Sequence, residues 1–387
     1  MKIDTYLRFM AEKKASDLFL ATGAVPSVKI EGELYPVSEH PLQSGVVSLI
    51  ADDLMSADQK TEFAENLEMN VGFSLENIGR FRVNIFRQRG EVSIVIRYIK
   101  LSVATIEELG LPYIVKDFVM KKNGLVLVVG STGSGKSTTL ASMVEARNAE
   151  KSGHILTIED PIEFAFSHRK SIVSQREVGI DTLSYANALR EALRESPDVI
   201  MIGEIRDRES MQAAINLSDT GHLVLATLHA VNANQALDRI VNLFPRDNHP
   251  KLFQDLSLSL NAIVSQRLVR GENEARVPAV EVLINTPYVS ELIAAAKVSE
   301  LKDAMESDTT NGMQTFDQSL IDLFRRGTIS NDEALSHADS PNNIKWQLNY
   351  GVDLTAEHST ASFSVNEVNE KASQSESSIF ELRFDPK

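Results

Sequence analysis

The chain has 387 residues and a mass of 42.8 kDa, a length that favours two globular domains plus some tail. Hydrophobic residues at 43%, charged residues at 24%, 19 Gly and 12 Pro exclude collagenous, low-complexity and wholly disordered classes, and the absence of cysteine excludes a disulfide framework, a CxxC zinc ribbon, an iron–sulfur cluster and a thiol nucleophile. A balance of 39 Lys+Arg against 54 Asp+Glu gives a formal charge of -15, which repels phosphate backbones and argues against nucleic acid as the partner, although a local basic groove stays possible.

The N-terminal stretch MKIDTYLRFMAEKKASD scatters charge where a secretory signal would carry an apolar run. No apolar run approaches the roughly 18 to 20 residues of a membrane span, so a soluble cytoplasmic protein is expected. A helix is predicted from about Ile3 to Lys14, followed by short strands in DLFLAT, PSVKIEG and ELYPV and a helical stretch near residues 41 to 67. The segment FRVNIFRQRGEVSIVIRYI, Phe81 to Ile99, alternates apolar with polar residues about a turn at Arg89-Gly90, which predicts a β-hairpin with one wet face. These elements make a small α+β domain over residues 1–99, with a linker over 100–112. Arg80, Arg82, Arg87, Arg89 and Arg97 concentrate positive charge there. A solvated face is the default for any one of them; fingers reaching nucleotide across an interface are the alternative.

From Leu125 the pattern becomes apolar runs of strand length, LVLVV, HILTIE, DVIMIGE and HLVLATLH, separated by helical stretches such as SYANALREALRESP and RESMQAAINLSDTG. That alternation predicts an α/β fold with a mostly parallel sheet covered on both faces. The motif GSTGSGKST, 130–138, follows the first of these strands and opens a helix, the context a phosphate-binding loop requires. Gly130, Gly133 and Gly135 let the loop curl with its N–H groups inward, making Ser131, Thr132, Gly133, Ser134, Gly135, Lys136, Ser137 and Thr138 the candidate nucleotide-binding residues. Lys136 should reach the β- and γ-phosphates of ATP, and the Ser137 hydroxyl should ligate Mg²⁺.

In ILTIEDPIEF, 155–164, Asp160, Pro161 and Glu163 fit a helix start with N-cap, first-turn proline and capping-box acid. Equally, acids at the carboxyl end of a parallel strand, Glu159 and Glu163, could orient or deprotonate an attacking water. DVIMIGEIRD, 198–207, ends its strand in Glu204, placed to meet Mg²⁺ or its waters. TGHLVLATLHA, 220–230, sets His222 and His229 at the two ends of one strand, facing opposite ways and unable to share a metal. His229 could contact the γ-phosphate region, or be an ordinary satisfied histidine. Helical patterns dominate from Asn248 to about Arg326, with a strand pair near Arg267 to Ile284. Beyond Asn349 the chain turns rich in Ser, Asn and Glu, a solvated tail by composition, in which IFELRF, 379–384, could be a short docking strand.

With these motifs in this order, the chain resembles the secretion-type P-loop ATPases and, within them, the PilT/PilU branch of type IV pilus retraction motors. The resemblance runs from SDLFLATGAVPSVKIEG through GRFRVNIF, GSTGSGKSTTLASM, ILTIEDPIEF, GEIRDRESMQAAI and GHLVLATLH to GMQTFDQSL, covering roughly residues 1–345. ANANQALDRI, Ser131 in the loop and the C-terminal extension lean to the PilU side of the branch. The family's extension and type II secretion relatives usually carry a tetracysteine zinc site, which this chain cannot form. YVSELI, 288–293, departs in its first residues from the AIRNLI-type segment, which counts against independent retraction of the PilT kind.

The resemblance implies a PAS-like domain (1–99), a linker (100–112), a RecA-like ATPase domain with C-terminal helices (113–348) and a disordered tail (349–387). It implies a homo-hexameric ring working with a PilT-type motor and docking on the inner-membrane platform protein. It gives weight to Glu163 and Glu159 as the Asp box with its water-activating base, to Glu204 as the Walker B acid and to His229 in the His box. The N-terminal arginines fall in the region that supplies sensor arginines. Two competing readings stay open: a secretion or DNA-transfer ATPase, and a ring subunit that binds nucleotide with little turnover.

Overall fold

The computed structural model describes residues 3–350, apart from residues 77, 100, 101, 273 and 310. The first part builds a six-stranded antiparallel sheet. Helix α1 (Ile3–Glu12) leads into β1 (Asp17–Ala21), β2 (Ser27–Ile30) and β3 (Glu33–Pro36). The helical stretch expected over 41 to 67 is two helices, α2 (Val46–Leu54) and α3 (Ala57–Asn66). It breaks at Ser56, whose side chain accepts from the Gln59 N–H while the Gln59 side chain accepts from the Ser56 N–H. The next strand, β4 (Glu68–Leu75), was not foreseen; β5 (Gly79–Gln88) and β6 (Glu91–Ile99) are the expected hairpin, turning through Arg89 and Gly90 at φ 51° and 83°. The sheet order is β3-β2-β1-β6-β5-β4. Alternate residues of β5, Phe81, Val83 and Ile85, join Leu7, Met10 and Val47 in one core, which leaves Arg80 and Arg82 on the other face.

After α4 (Ile114–Val119), a second sheet begins with β7 (Gly124–Val129) and α5 (Lys136–Glu150), then β8 (Gly153–Glu159), β9 (Ser171–Glu177), α6 (Tyr185–Ala192), β10 (Val199–Ile202), α7 (Arg208–Asp219) and β11 (Leu223–Leu228). It continues through α8 (Ala233–Asn242) and α9 (His249–Ser259) to β12 (Leu260–Arg270) and β13 (Arg276–Ile284). The strand order is β13-β12-β7-β11-β10-β8-β9, parallel except for the β12–β13 pair. The strand pair expected from Arg267 starts at Leu260 and extends the main sheet beside β7. β9 escaped prediction because SIVSQRE carries five polar residues among its seven, having only one sheet neighbour to bury it.

All six residues of β7 are buried, and their side chains divide by parity. Leu125, Leu127 and Val129 pack toward α6, α7, α8 and α9, whereas Val126 and Val128 pack toward α4 and α5. The remaining helices are α10 (Pro287–Ala294), α11 (Leu301–Ser307), α12 (Phe316–Arg325), α13 (Asn331–Ser336) and α14 (Pro341–Tyr350). The last three form a small core with Val269 and Ala279, capped by Arg267 lying 3.8 Å over the Phe316 ring. No helix among the described residues is long and apolar enough to cross a membrane. Of the tail expected over 349–387, residues 349 and 350 end α14, and the rest, including IFELRF, lies outside the described residues.

Candidate active site

Because β7, β11, β10 and β8 are parallel, their carboxyl ends share one edge, and four motifs far apart in sequence meet there. One cleft is lined by Thr132, Gly133, Lys136 and Ser137 after β7, by Glu159 at the end of β8 and Glu163 beyond it, by Glu204 after β10 and by His229 after β11. In the glycine-rich loop Gly133 and Gly135 adopt φ 79° and 90°, and α5 starts at Lys136 with its first-turn amides free of a side-chain cap. Ser131 and Ser134 lie on the loop's other side, against β12 and β13. Thr138, half-buried in the first turn of α5, is not among the residues lining the cleft.

Lys136 is buried, its Nζ donating to the carbonyls of Gly130 (2.9 Å) and Ser131 (2.8 Å). Burial pushes its ammonium pKa down, opposed by the carboxylates of Glu204 and Glu163. Its Nζ lies 3.5 Å from His229 Nδ1, and His229 Nε2 lies 2.9 Å from Glu204 Oε1. The tautomer protonated at Nε2 satisfies both contacts, accepting from the lysine and donating to the carboxylate. His229 is therefore a bridge between the loop lysine and the acid of β10. His222, at the other end of β11, instead contacts the Leu217 carbonyl, and no metal-holding group of three or more His, Cys, Asp or Glu occurs among the described residues.

The segment after β8 is not a helix start; residues 160–170 run as an irregular loop through a cis Asp160-Pro161 peptide. The two glutamates differ in environment. Glu163 is exposed to the cleft, while Glu159 is 7% exposed and accepts from Thr157 Oγ1 (2.8 Å) and Gln175 Nε2 (3.1 Å). Burial raises the Glu159 pKa to about 7 against the pull of those hydrogen bonds. Glu163 stands where a water in the cleft can reach it, whereas Glu159 is buried and already engaged by Thr157 and Gln175; accessibility separates the two acids, since a pKa near neutrality would itself suit a general base.

Three residues were not anticipated, Arg206 and Tyr185 in the cleft and Gln175 outside its lining. Arg206 donates through Nε to Glu204 Oε2 (2.8 Å) and lies 4.0 Å from Asp160. Its place two residues after Glu204 in GEIRD was the available signal. Tyr185, whose hydroxyl pKa is raised by burial, and Gln175 had none. The five N-terminal arginines do not act as one patch, and none lines the cleft among the described residues. Arg97 pairs with Asp17 (2.9 Å), Arg87 lies over Phe63, and Arg89 occupies the hairpin turn. Only Arg80 and Arg82 reach the second sheet, 4.0 and 3.8 Å from the buried Glu177 of β9.

Residues 2–321 match the family model described as "Type II/IV secretion system protein". The chain is 48% identical to the type IV pilus ATPase PilU of Pseudomonas aeruginosa, covering 92% of this chain and 94% of that protein. It is 42% identical to the type IV pilus retraction ATPase PilT of the same organism, covering 89% of this chain and 100% of that one. The crystal structure of the pilus retraction motor PilT with bound ADP superposes at a TM-score of 0.82, with 40% identity, over 89% of this chain and 99% of that one.

Proposed function

We propose, on the premise that this chain belongs to the type II/IV secretion system protein family, that its cleft hydrolyses ATP to drive type IV pilus retraction. It is a PilU-like type IV pilus ATPase and a homologue of the PilT retraction motor. The observation that carries the proposal is the convergence of Lys136, Ser137, Glu163, Glu204 and His229 on one cleft at the sheet's carboxyl edge.

On this reading the loop amides and Lys136 hold the phosphates, and Glu163 orients and deprotonates the attacking water. Glu159, buried behind it, keeps the loop in place. His229 ties Lys136 to Glu204, so that a change at the γ-phosphate is felt at the β10 end. Ser137 and Glu204 fit a Mg²⁺ held largely by phosphate oxygens and water, the usual arrangement where protein ligands are few. Both Glu204 oxygens already engage His229 and Arg206, which favours contact through water. Bound there, the ion would neutralise charge developing on the phosphates.

The wider proposal is a cytoplasmic homo-hexamer, held at the inner membrane through the pilus platform protein and acting with a PilT-type motor. In it, residues 1–99 form a PAS-like domain and 113–348 a RecA-like ATPase domain, joined by a linker over 100–112. Steady-state ATP hydrolysis by the purified protein beside Lys136→Ala and Glu204→Ala tests the core of this. Mg²⁺-dependent turnover is expected in the wild type and lost in both variants; equal low rates in all three would leave a nucleotide-binding ring subunit.

A further inference from the structure

The loop that carries Glu163 has little regular structure, and its anchors are unusual. Among the hydrogen bonds described for residues 161–166, the partners are three side chains. Glu177 Oε2 accepts from the Ile162 N–H at 3.4 Å, and the Glu159 carboxylate accepts from the Glu163 N–H. The third partner, Gln175, uses both ends of its amide. Its Nε2 donates to the Phe164 carbonyl at 2.9 Å and to Glu159 Oε1 at 3.1 Å, while its Oε1 accepts from the Phe166 N–H at 2.9 Å. One side chain thus grips the loop on the carboxyl side of Glu163 and also holds the carboxylate on which the Glu163 backbone rests.

We infer that Gln175 is the positioning residue for Glu163: it sets where that carboxylate stands over the cleft without touching nucleotide itself. The geometry asks for an amide specifically. A carboxylate could accept from Phe166 but would lack both donors and would face Glu159 as a like charge. An apolar side chain of equal length would keep the packing and lose all three bonds. Gln175 stands on β9 beside β8, so the position of Glu163 is referred to the sheet, which is rigid, and not to the loop.

This inference rests on the reading of Glu163 as the water-activating base, and the experiment separates the two. Full-length Gln175→Met and Gln175→Glu are compared with wild type and Glu163→Gln in kcat, KM for ATP, affinity for a fluorescent ADP analogue, thermal midpoint and kcat against pH. Gln175→Met is expected to lose roughly 10- to 100-fold in kcat, the scale of a misplaced catalytic group, with KM and ADP affinity within about twofold of wild type. Gln175→Glu is expected to be weakest at alkaline pH and to regain turnover as pH falls toward 6. There the introduced carboxyl and Glu159 share a proton and one donor returns.

Gln175→Met with wild-type kcat, while Glu163→Gln is inactive, overturns the inference alone. Losses of kcat, ADP affinity and thermal midpoint together in both Gln175 variants also overturn it, since they mark a merely structural residue. Full turnover in Glu163→Gln overturns the base assignment on which it rests.

Discussion

At Glu159 burial brings a carboxyl ionisation close to neutral pH. Its carboxyl pKa rises from 4.5 to about 7, so the folded protein holds a proton there that the unfolded chain releases. Between those values the folded state binds more protons, and stability falls as pH rises. The contribution is fully present below about 4.5, is lost through about 7 and is flat above. At 1.36 kcal/mol per unit the loss is about 3 kcal/mol as an upper bound. Glu159→Gln keeps an acceptor for Thr157 and Gln175 and removes the charge. Its thermal midpoint should exceed that of wild type by a few degrees at pH 8.5 and match it near pH 5. A difference independent of pH would show that the charge is not what burial penalises. The motif ILTIEDPIEF singled out this acid and Glu163 in sequence but left a helix start and a catalytic loop equally open. Only the surroundings separate the exposed acid from the buried one.

At the scale of elements, the strand β7, its loop and α5 form a unit pressed against β12. A Cβ added at Gly130 would stand 2.6 Å from the Gln266 backbone oxygen and 2.3 Å from Ser134 Oγ. The same Gln266 accepts from Thr139 Oγ1 of α5 at 2.7 Å. Gly130→Ala should therefore displace the loop from β12, lowering ADP-analogue affinity tenfold or more together with the thermal midpoint. Gly133→Ala meets no protein atom within 4 Å, so its cost to folding is that of φ 79°, about 1 kcal/mol. Comparable losses of thermal midpoint in the two variants would contradict the packing argument. The apolar runs of β7, β8, β10 and β11 were legible because buried parallel strands need continuous hydrophobicity. β4 and β9 were not, being half-wet edge strands whose pairing supplies what their composition lacks.

Across the whole molecule, the two sheets meet where Arg80 and Arg82 approach Glu177, with Arg80 also 3.9 Å from Asp181. Burial raises the Glu177 carboxyl pKa and the two guanidinium groups oppose the rise, a balance typical of a buried acid that needs its partners. Because Glu177 also accepts from Ile162 N–H in the Glu163 loop, this contact lies between the antiparallel sheet and the cleft. Glu177→Gln should speed amide hydrogen exchange in residues 178–182 and at the Gly79 end of β5, leaving β7 and α5 unchanged. Unaltered exchange in both segments would mean the arginines do not hold this contact.

The sequence by itself determined the change of pattern near Leu125, the strand–loop–helix with its glycine-rich phosphate-loop pattern, the acids and histidine near strand ends and the resemblance to pilus retraction motors. Those are local patterns, written in residues within one or two elements of each other. Tertiary structure decided which groups touch. His229 bridges Lys136 and Glu204 over 93 residues of chain, and Gln175 grips a loop with which it shares no motif. Arg206 takes the second oxygen of Glu204, and Arg80 turns to Glu177. Such pairings depend on strand order and register, which place distant carboxyl ends at one edge, and on burial, which sets what each charge costs.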